Sequence, residues 1–208
     1  MFQIADYKET IDGILKEMPA RSQDVLSRRF DIGLQSSRHP GKEETLEEIG
    51  NDYGITRERV RQIESKGLEA FQNSPKFSKI EEPFFEIKHF IDNNGGLKRE
   101  DVLKSSLLPE PKYQPYLLFL LKTGDEFFYQ PDSILFYSFW QTREDASKIA
   151  NKVNGLLVKL LNKEKRLLEK EEILEMANKE ALKNLRVKLP EDYIISYIEI
   201  TKKIEENP

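Results

Sequence analysis

The stretch TLEEIGNDYGITRERVRQIESKGLEAF, residues 45–71, constrains the fold of this chain more than any other feature. Thr45 followed three residues later by Glu48 forms a capping box, in which each side chain accepts a hydrogen bond from the backbone amide of the other. This pattern predicts the start of a helix. Gly54 permits the left-handed backbone of a tight turn, and Thr56 is a second N-cap residue. A helix, a short glycine turn and a capped helix together predict a helix-turn-helix.

The second helix of this motif carries a mixed polar face. At about 100° per residue, the predicted buried side consists of Val60, Ile63, Gly67 and Phe71. The predicted exposed side presents Arg57, Glu58, Arg61 and Gln62 near the start of the helix. Arginine can bind guanine through two acceptors, glutamine can pair with adenine, and glutamate can accept a hydrogen bond from the cytosine amino group. Alternating Arg and Glu also occur on solvent-exposed helices, where they give only solubility and ion pairs between residues one turn apart. This face alone therefore leaves open whether this helix reads DNA or is simply solvated.

The rest of the chain predicts a mainly α protein. Residues 4–18 and 20–29 have helical spacing of apolar residues, and residues 72–83 have the composition of a linker. Residues 84–140 give three predicted helices followed by two aromatic, β-prone runs, which is the order of a winged helix. From residue 143 onward the apolar spacing is helical again.

Three domains are therefore predicted: a helix-turn-helix domain over residues 1–76, a winged-helix-like domain over 80–141, and a helical domain over 142–208. The ending EENP does not resemble the finish of a domain, so we expect the native polypeptide to continue beyond Pro208.

Composition narrows the possible functions. The chain has no cysteine, and its two histidines, His39 and His89, are far apart, so neither a histidine-based metal site nor a Ser-His-Asp triad is expected. We expect no cofactor and no enzymatic activity. No apolar run approaches the roughly 20 residues of a membrane helix, which predicts a cytoplasmic protein. The net charge of −4 argues against polyanion binding by the whole surface, but a local basic patch can still bind DNA because salt screens distant charges.

Residues 45–71 resemble region 4.2 of primary-type bacterial sigma factors of the sigma-70 family, and MPARSQDVLSRRFDIG just upstream resembles region 4.1. The likeness covers roughly residues 15–72, and TRERVRQIE is its most specific part. It departs from the family at Ser65 and Gly67, where alanine is usual. No segment resembles region 2, so this chain is not expected to be a complete initiation factor.

The resemblance implies partners and roles for particular residues. In that family the second helix reads the promoter −35 element, and the base-contacting residues would here be Arg57, Glu58, Arg61 and Gln62. The DNA backbone would be contacted by Thr45, Leu46, Glu47, Thr56, Arg59 and Lys66, with Arg38 or Lys42 of the loop as further candidates. Region 4 also binds the flap of the RNA polymerase β subunit through an apolar cleft, to which Val25, Leu26 and Phe30 correspond; ordinary core packing explains these three equally well.

Two functions follow as hypotheses. The first is a transcription regulator, associated with the nucleoid of a bacterium, that reads −35-like double-stranded DNA and docks on RNA polymerase. The second is an interaction protein that occupies the polymerase flap without reading DNA on its own. The predicted winged-helix segment has little basic character in its third helix, which favours protein contact over phosphate contact there.

Overall fold

The computed structural model describes residues 4–33, 43–164 and 168–204. Within these ranges the chain is mainly α, as predicted, with a small antiparallel sheet. The helices are α1 (Ile4–Glu17), α2 (Ala20–Phe30), α3 (Leu46–Tyr53), α4 (Arg57–Gln72), α5 (Glu81–Asn93), α6 (Glu100–Leu107), α7 (Gln114–Thr123), α8 (Ala146–Leu161), α9 (Lys170–Leu185) and α10 (Glu191–Glu199). The strands are β1 (Leu97–Arg99), β2 (Phe128–Gln130) and β3 (Phe139–Gln141).

The chain forms two compact units. One consists of Met1–Glu86 with Lys104–Gly124, and the other of Ile87–Leu103 with Asp125–Pro208. The three domains expected from the sequence, with boundaries near residues 76–80 and 141–142, stay a prediction.

The helix-turn-helix of the first unit is confirmed, and its helices begin and end within a residue or two of the expected positions. Its core joins Val25 of α2, Ile49 of α3 and Val60 of α4, all fully buried. Phe71 and Gly67 are also buried, so the inward side of α4 predicted from its periodicity is correct. Each of the three helices therefore contributes one aliphatic side chain to a shared core, and this packing fixes the orientation of α4.

The expected linker over residues 72–83 is instead ordered structure. A 3-10 helix runs over Phe77–Ile80, and α5 begins at Glu81. Ile80 is fully buried, and the Phe77 ring lies 5.9 Å from that of Phe71 and 5.5 Å from that of Phe84. The Ser, Pro and Lys content predicted a linker. The apolar residues of this segment were not recognised as core because their spacing is irregular, but they pack within the first unit.

The second unit contains the sheet, whose strand order is β1-β3-β2 with both pairs antiparallel. The elements expected to form a winged helix are divided between the two units, because residues 104–124, which include α7, belong to the first. The winged-helix-like domain over residues 80–141 stays a prediction. Strand β1 was missed in the sequence because it is only three residues long and follows two glycines with positive φ, Gly95 and Gly96. Lys98 at its centre pairs with Trp140 of β3.

The three C-terminal helices pack on the sheet of the second unit. Leu97, Phe139, Ala150, Leu157 and Tyr197 belong to one buried cluster. Helix α10 ends earlier than expected, because residues 200–202 run beside the segment before β3. There the Tyr137 amide donates to the Ile200 carbonyl at 2.9 Å and the Lys202 amide donates to the Leu135 carbonyl at 3.0 Å.

Candidate nucleic-acid interface

The turn of the helix-turn-helix is built by the residues that predicted it. The Glu48 amide donates to Thr45 Oγ1 at 3.1 Å, and the Thr45 amide donates to Glu48 Oε2 at 2.6 Å. Gly54 has φ of 63° and ψ of 34°, which is the left-handed conformation that ends α3. Thr56 Oγ1 then accepts from the Arg59 amide at 3.2 Å. Both helix starts are thus fixed by local hydrogen bonds.

Helix α4 crosses α2 closely at Gly67. A Cβ atom built at this glycine would lie 3.1 Å from Leu26 Cδ1 and 3.3 Å from Leu26 Cγ. These distances are tighter than most side-chain contacts, so the glycine that departs from the family pattern has a packing role. The helix-propensity cost of about 1 kcal/mol for glycine is therefore offset by close contact between the two helices.

The exposed face of α4 brings its predicted base-contacting residues together. Arg57, Glu58, Arg61 and Gln62 are all exposed. Arg61 donates from Nε and Nη2 to the two carboxylate oxygens of Glu58, at 2.8 Å each. Gln62 Nε2 lies 3.5 Å from Glu58 Oε1, while Gln62 Oε1 accepts from Arg59 Nη1 at 3.0 Å. The face is a connected polar network of donors and acceptors.

The opposite charges of this network each favour the ionised form of the neighbouring group. The hydrogen bond from Arg61 lowers the pKa of Glu58, and the positive charge of Arg57 acts in the same direction. The same bond raises the pKa of Arg61. Glu58 is therefore an ionised acceptor throughout the neutral range. Because the pair is exposed, it is weak, and each member can exchange its partner for another group of suitable charge.

The residues expected to contact the DNA backbone lie around both helix starts. Thr45, Glu47, Thr56, Arg59 and Lys66 are exposed. Leu46 is half-buried and packs against the core of the helix-turn-helix, so its contribution to DNA contact would come from its backbone amide. Arg38 and Lys42 lie outside the described residues. These roles stay predictions.

A buried ion cluster behind α3 was not found by reasoning from the sequence. Arg28 Nε donates to Glu44 Oε1 at 3.0 Å, and its Nη2 lies 2.6 Å from Asp52 Oδ2. The side chains of Arg28 and Glu44 are only 5% and 8% exposed. The hydrogen bond that Arg28 donates to the Glu44 carboxylate is the main cause that raises the pKa of Arg28. The cluster ties α2 to the residue before the α3 cap and to α3 itself.

The neighbouring residue, Arg29, connects α2 to α4 as well. Arg29 Nε donates to Glu64 Oε1 at 3.2 Å, and Arg29 Nη1 donates to the Glu44 carbonyl. Glu64 lies on α4 and is 8% exposed. The only sequence signal was a pair of arginines at the end of α2, because their partners are 15 to 35 residues away. Two consecutive side chains of α2 therefore hold α3 and α4.

The three residues expected to contact the polymerase flap are all buried. Val25 belongs to the core of the helix-turn-helix, Leu26 lies against Gly67, and Phe30 is 7% exposed. The Phe30 ring lies 5.2 Å from the ring of Phe119 on α7. The structure therefore brings Phe30 beside a helix of the same unit, and the docking role of the three stays a prediction.

Among the described residues, no group of three or more His, Cys, Asp or Glu side chains is placed to hold a metal ion. None of the described helices is both long enough and apolar enough to span a bilayer.

Comparison with known proteins places the helix-turn-helix in a family. Residues 14–73 match the family model "Sigma-70, region 4". The RNA polymerase sigma factor SigA of a Bacillus species is 40% identical over 75 residues, which are 36% of this chain and 18% of that protein. The sigma factor SigA1 of Synechococcus elongatus is 39% identical over 75 residues, which are 36% of this chain and 17% of that protein. No solved structure matches.

The similarity is limited to one part of each protein, since the matched segment spans less than a fifth of either relative. It coincides with α2, α3 and α4 and with the polar face of α4. Within these limits, residues 14–73 of this chain are similar to region 4 of the sigma-70 family.

Proposed function

We propose that this chain is a sigma-like transcription factor that reads −35-type promoter DNA with the exposed face of α4 and docks on RNA polymerase. The observation that carries this proposal is the polar network of Arg57, Glu58, Arg61 and Gln62, displayed on the N-terminal half of the second helix of a region 4. That half of a recognition helix enters the major groove.

Each of these side chains has a chemical counterpart on base edges. Arg57 and Arg61 can each donate two hydrogen bonds to guanine, Gln62 can pair with adenine, and Glu58 can accept from a cytosine amino group. In the free protein, Glu58 and Arg61 satisfy one another at 2.8 Å. Because both are 58% exposed, opening their ion pair costs little. DNA bases can therefore replace the partners that the helix supplies to itself.

Backbone phosphates would be held at the two helix starts. The first amides of α3 and α4 follow the N-caps Thr45 and Thr56, and helix N-termini favour anions. The side chains of Arg59 and Lys66 add positive charge on either side of the reading face. Such contacts fix the register of the protein on DNA without carrying sequence information.

Docking on the polymerase follows from the membership of residues 14–73 in region 4. The proposed contact is the β flap, on the side of α2 that holds Leu26 and Phe30. A factor of this kind would act at the nucleoid in the bacterial cytoplasm, with no cofactor and no catalytic step of its own.

The test of promoter reading is fluorescence-anisotropy binding of the full chain to a duplex bearing TTGACA and to a scrambled duplex, at two salt concentrations. We expect preferential binding to TTGACA that weakens steeply with salt. Arg57→Ala should lose about 1–3 kcal/mol of binding free energy and relax specificity at one base position. Lys152→Ala, which removes one positive charge from the exposed side of α8, is the matched control and should leave the preference unchanged. Equal binding of both duplexes would refute promoter reading by the isolated protein.

A second candidate is an interaction protein that occupies the polymerase flap in place of a sigma factor. The net charge of −4 favours it, because an acidic protein gains little from the general phosphate attraction that supports DNA binding. An apolar flap contact should be nearly independent of salt, whereas DNA binding should not. The same two-salt experiment, repeated with an isolated β-flap domain, separates the two candidates.

A further inference from the structure

Helix α7 has an unusual composition for a helix of a small protein. Its sequence is QPYLLFLLKT, and six of its ten residues are buried: Tyr116, Leu117, Phe119, Leu120, Leu121 and Thr123. Helices that are apolar on most sides are enclosed by other elements rather than lying on a surface. Although α7 follows the region 4 segment by some forty residues, it belongs to the same compact unit.

Phe119 of α7 makes aromatic contacts with two helices of the helix-turn-helix domain, α2 and α4. The Phe119 ring lies 5.2 Å from Phe30 at the end of α2 and 4.7 Å from Phe71 at the end of α4. Both pairs are edge-to-face, with interplanar angles of 75° and 84°, which is a favourable arrangement for aromatic rings. Phe119 and Phe71 are fully buried. One side chain of α7 therefore covers the junction of α2 and α4.

Polar contacts hold both ends of α7 in this position. Tyr116 Oη donates to Asp12 Oδ1 at 2.8 Å and accepts from the Gly33 amide at 3.2 Å. At the other end, Gln72 Nε2 donates to the Thr123 carbonyl at 2.6 Å. These bonds connect α7 to α1, to the residues after α2 and to the last residue of α4. We call these three hydrogen bonds the α7 latch.

We propose that α7 is an internal occupant of the apolar face of α2 and α4, and that docking of this face on the polymerase β flap requires α7 to leave. This inference rests on the polymerase docking in the proposed function. The present occupant indicates the chemistry of a partner for this face, since the Phe119 ring of α7 fills the space between Phe30 and Phe71. A flap segment of similar apolar character would compete with α7 for the same side chains.

The expected consequence is a reduced apparent affinity. If only the fraction of molecules with α7 released can bind the flap, the apparent dissociation constant is the intrinsic constant divided by that fraction. Weakening the latch raises the fraction and tightens binding, while leaving the DNA-reading face of α4 untouched. The latch is the right target because its bonds can be removed without cutting into the apolar core.

The experiment compares three full-length proteins: the wild type, the latch variant Tyr116→Phe/Gln72→Ala, and the control Tyr113→Phe/Gln130→Ala. Tyr113 lies just before α7 with Lys112 over its ring, and Gln130 is exposed at the end of β2, so the control removes the same groups away from the latch. Hydrogen exchange of the amides of residues 114–123 reports whether α7 is released. Binding to an isolated β-flap domain is measured by titration.

We expect the latch variant to bind the flap domain about ten-fold more tightly than the wild type and the control, since it lacks three hydrogen bonds. Saturating flap domain should also accelerate hydrogen exchange of α7 in the wild type, an effect that needs no variant. Equal flap binding by wild type and latch variant, with α7 protected in the complex, would overturn the proposal. So would an absence of flap binding by a variant whose α7 amides exchange freely.

Promoter reading is measured on the same three proteins with the TTGACA and scrambled duplexes. Its loss in all three would refute the DNA part of the proposed function, whatever the flap result. Retained preference for TTGACA with equal flap binding and a protected α7 would refute only the role of α7. Retained preference without any flap binding would refute docking on the flap as well, and would leave promoter reading standing.

Discussion

Replacing Arg28 with methionine tests whether the buried ion cluster holds the region 4 helices. The Arg28 guanidinium contacts Glu44 and Asp52, and the side chains of Arg28 and Glu44 are 5% and 8% exposed. In Arg28→Met, the Glu44 carboxylate stays buried without its main partner. Removing one member of a buried pair costs about 3–5 kcal/mol. Because Asp52 is 36% exposed and can be hydrated, we expect the lower end, about 3 kcal/mol.

The matched control is Arg61→Met, which breaks the Glu58–Arg61 pair. Both of these side chains are 58% exposed, so the loss should be much smaller than that of Arg28→Met. Arginine and methionine have similar helix propensities, so the comparison isolates the electrostatic environment. The free energy of opening is best measured by hydrogen exchange of the α3 and α4 amides, because this reports the helix-turn-helix without contributions from the second unit.

A double replacement sharpens this test. Buried ion pairs can often be exchanged for apolar residues without loss, so Arg28→Met/Glu44→Met should recover at least half of the stability lost in Arg28→Met. If Arg28→Met costs no more than Arg61→Met, the cluster does not stabilise the packing of α3 and α4. If the double variant is no better than the single one, the loss comes from the missing arginine packing and not from an uncompensated carboxylate.

Two further predictions concern other parts of the chain. Gly54→Ala should destabilise the helix-turn-helix by about 1–2 kcal/mol, because φ is 63° at this position; a Cβ there would meet no atom within 4 Å, so the cost comes from the backbone alone. Gly13→Ala, in helix α1 with equally open surroundings, should instead stabilise the protein by up to about 1 kcal/mol. Thermal unfolding of the two variants distinguishes a loss of stability from a gain. Burial raises the pKa of Tyr197 to about 12, so the folded state keeps this proton when the unfolded state, with a pKa near 10, has lost it. The free energy of unfolding of the second unit should thus keep its full value below pH 10 and fall by roughly 2–3 kcal/mol between pH 10 and 12. Trp140, which is the single tryptophan and is 5% exposed, reports this unfolding by its fluorescence. In Tyr197→Phe the fall over this pH range should be smaller.

The parts of the fold that the sequence predicted well depend on neighbouring residues. The capping box at Thr45, the turn at Gly54 and the cap at Thr56 each involve atoms within four residues of one another. Such signals can therefore be recognised in short stretches of sequence. The side of α4 that faces inward was predictable for the same reason, because helical periodicity needs no knowledge of what the helix packs against.

The parts that were missed depend on contacts between distant residues. Arg28 meets Asp52 across 24 positions, and Gln72 meets Thr123 across 51. Periodicity identified α7 as a helix but could not say which element would cover it, since it is apolar on most sides. Strand β1 exists because its three residues pair with residues of β3 that are 40 to 44 positions away, and no local pattern predicts so short a strand.

The polar face of α4 and the latch of α7 together suggest how binding to DNA and to polymerase would be coupled in the proposed function. The reading face carries Arg57 and Arg61, but Arg61 shares its charge with Glu58, and the chain as a whole is acidic. An acidic chain gains little attraction to DNA beyond its local contacts, so we expect modest DNA affinity at physiological salt. A second contact through the flap would convert DNA binding into a nearly intramolecular event with a high effective concentration. If flap docking requires release of α7, then the stability of the α7 latch sets how often this second contact is available, and hence how strongly the protein occupies a promoter.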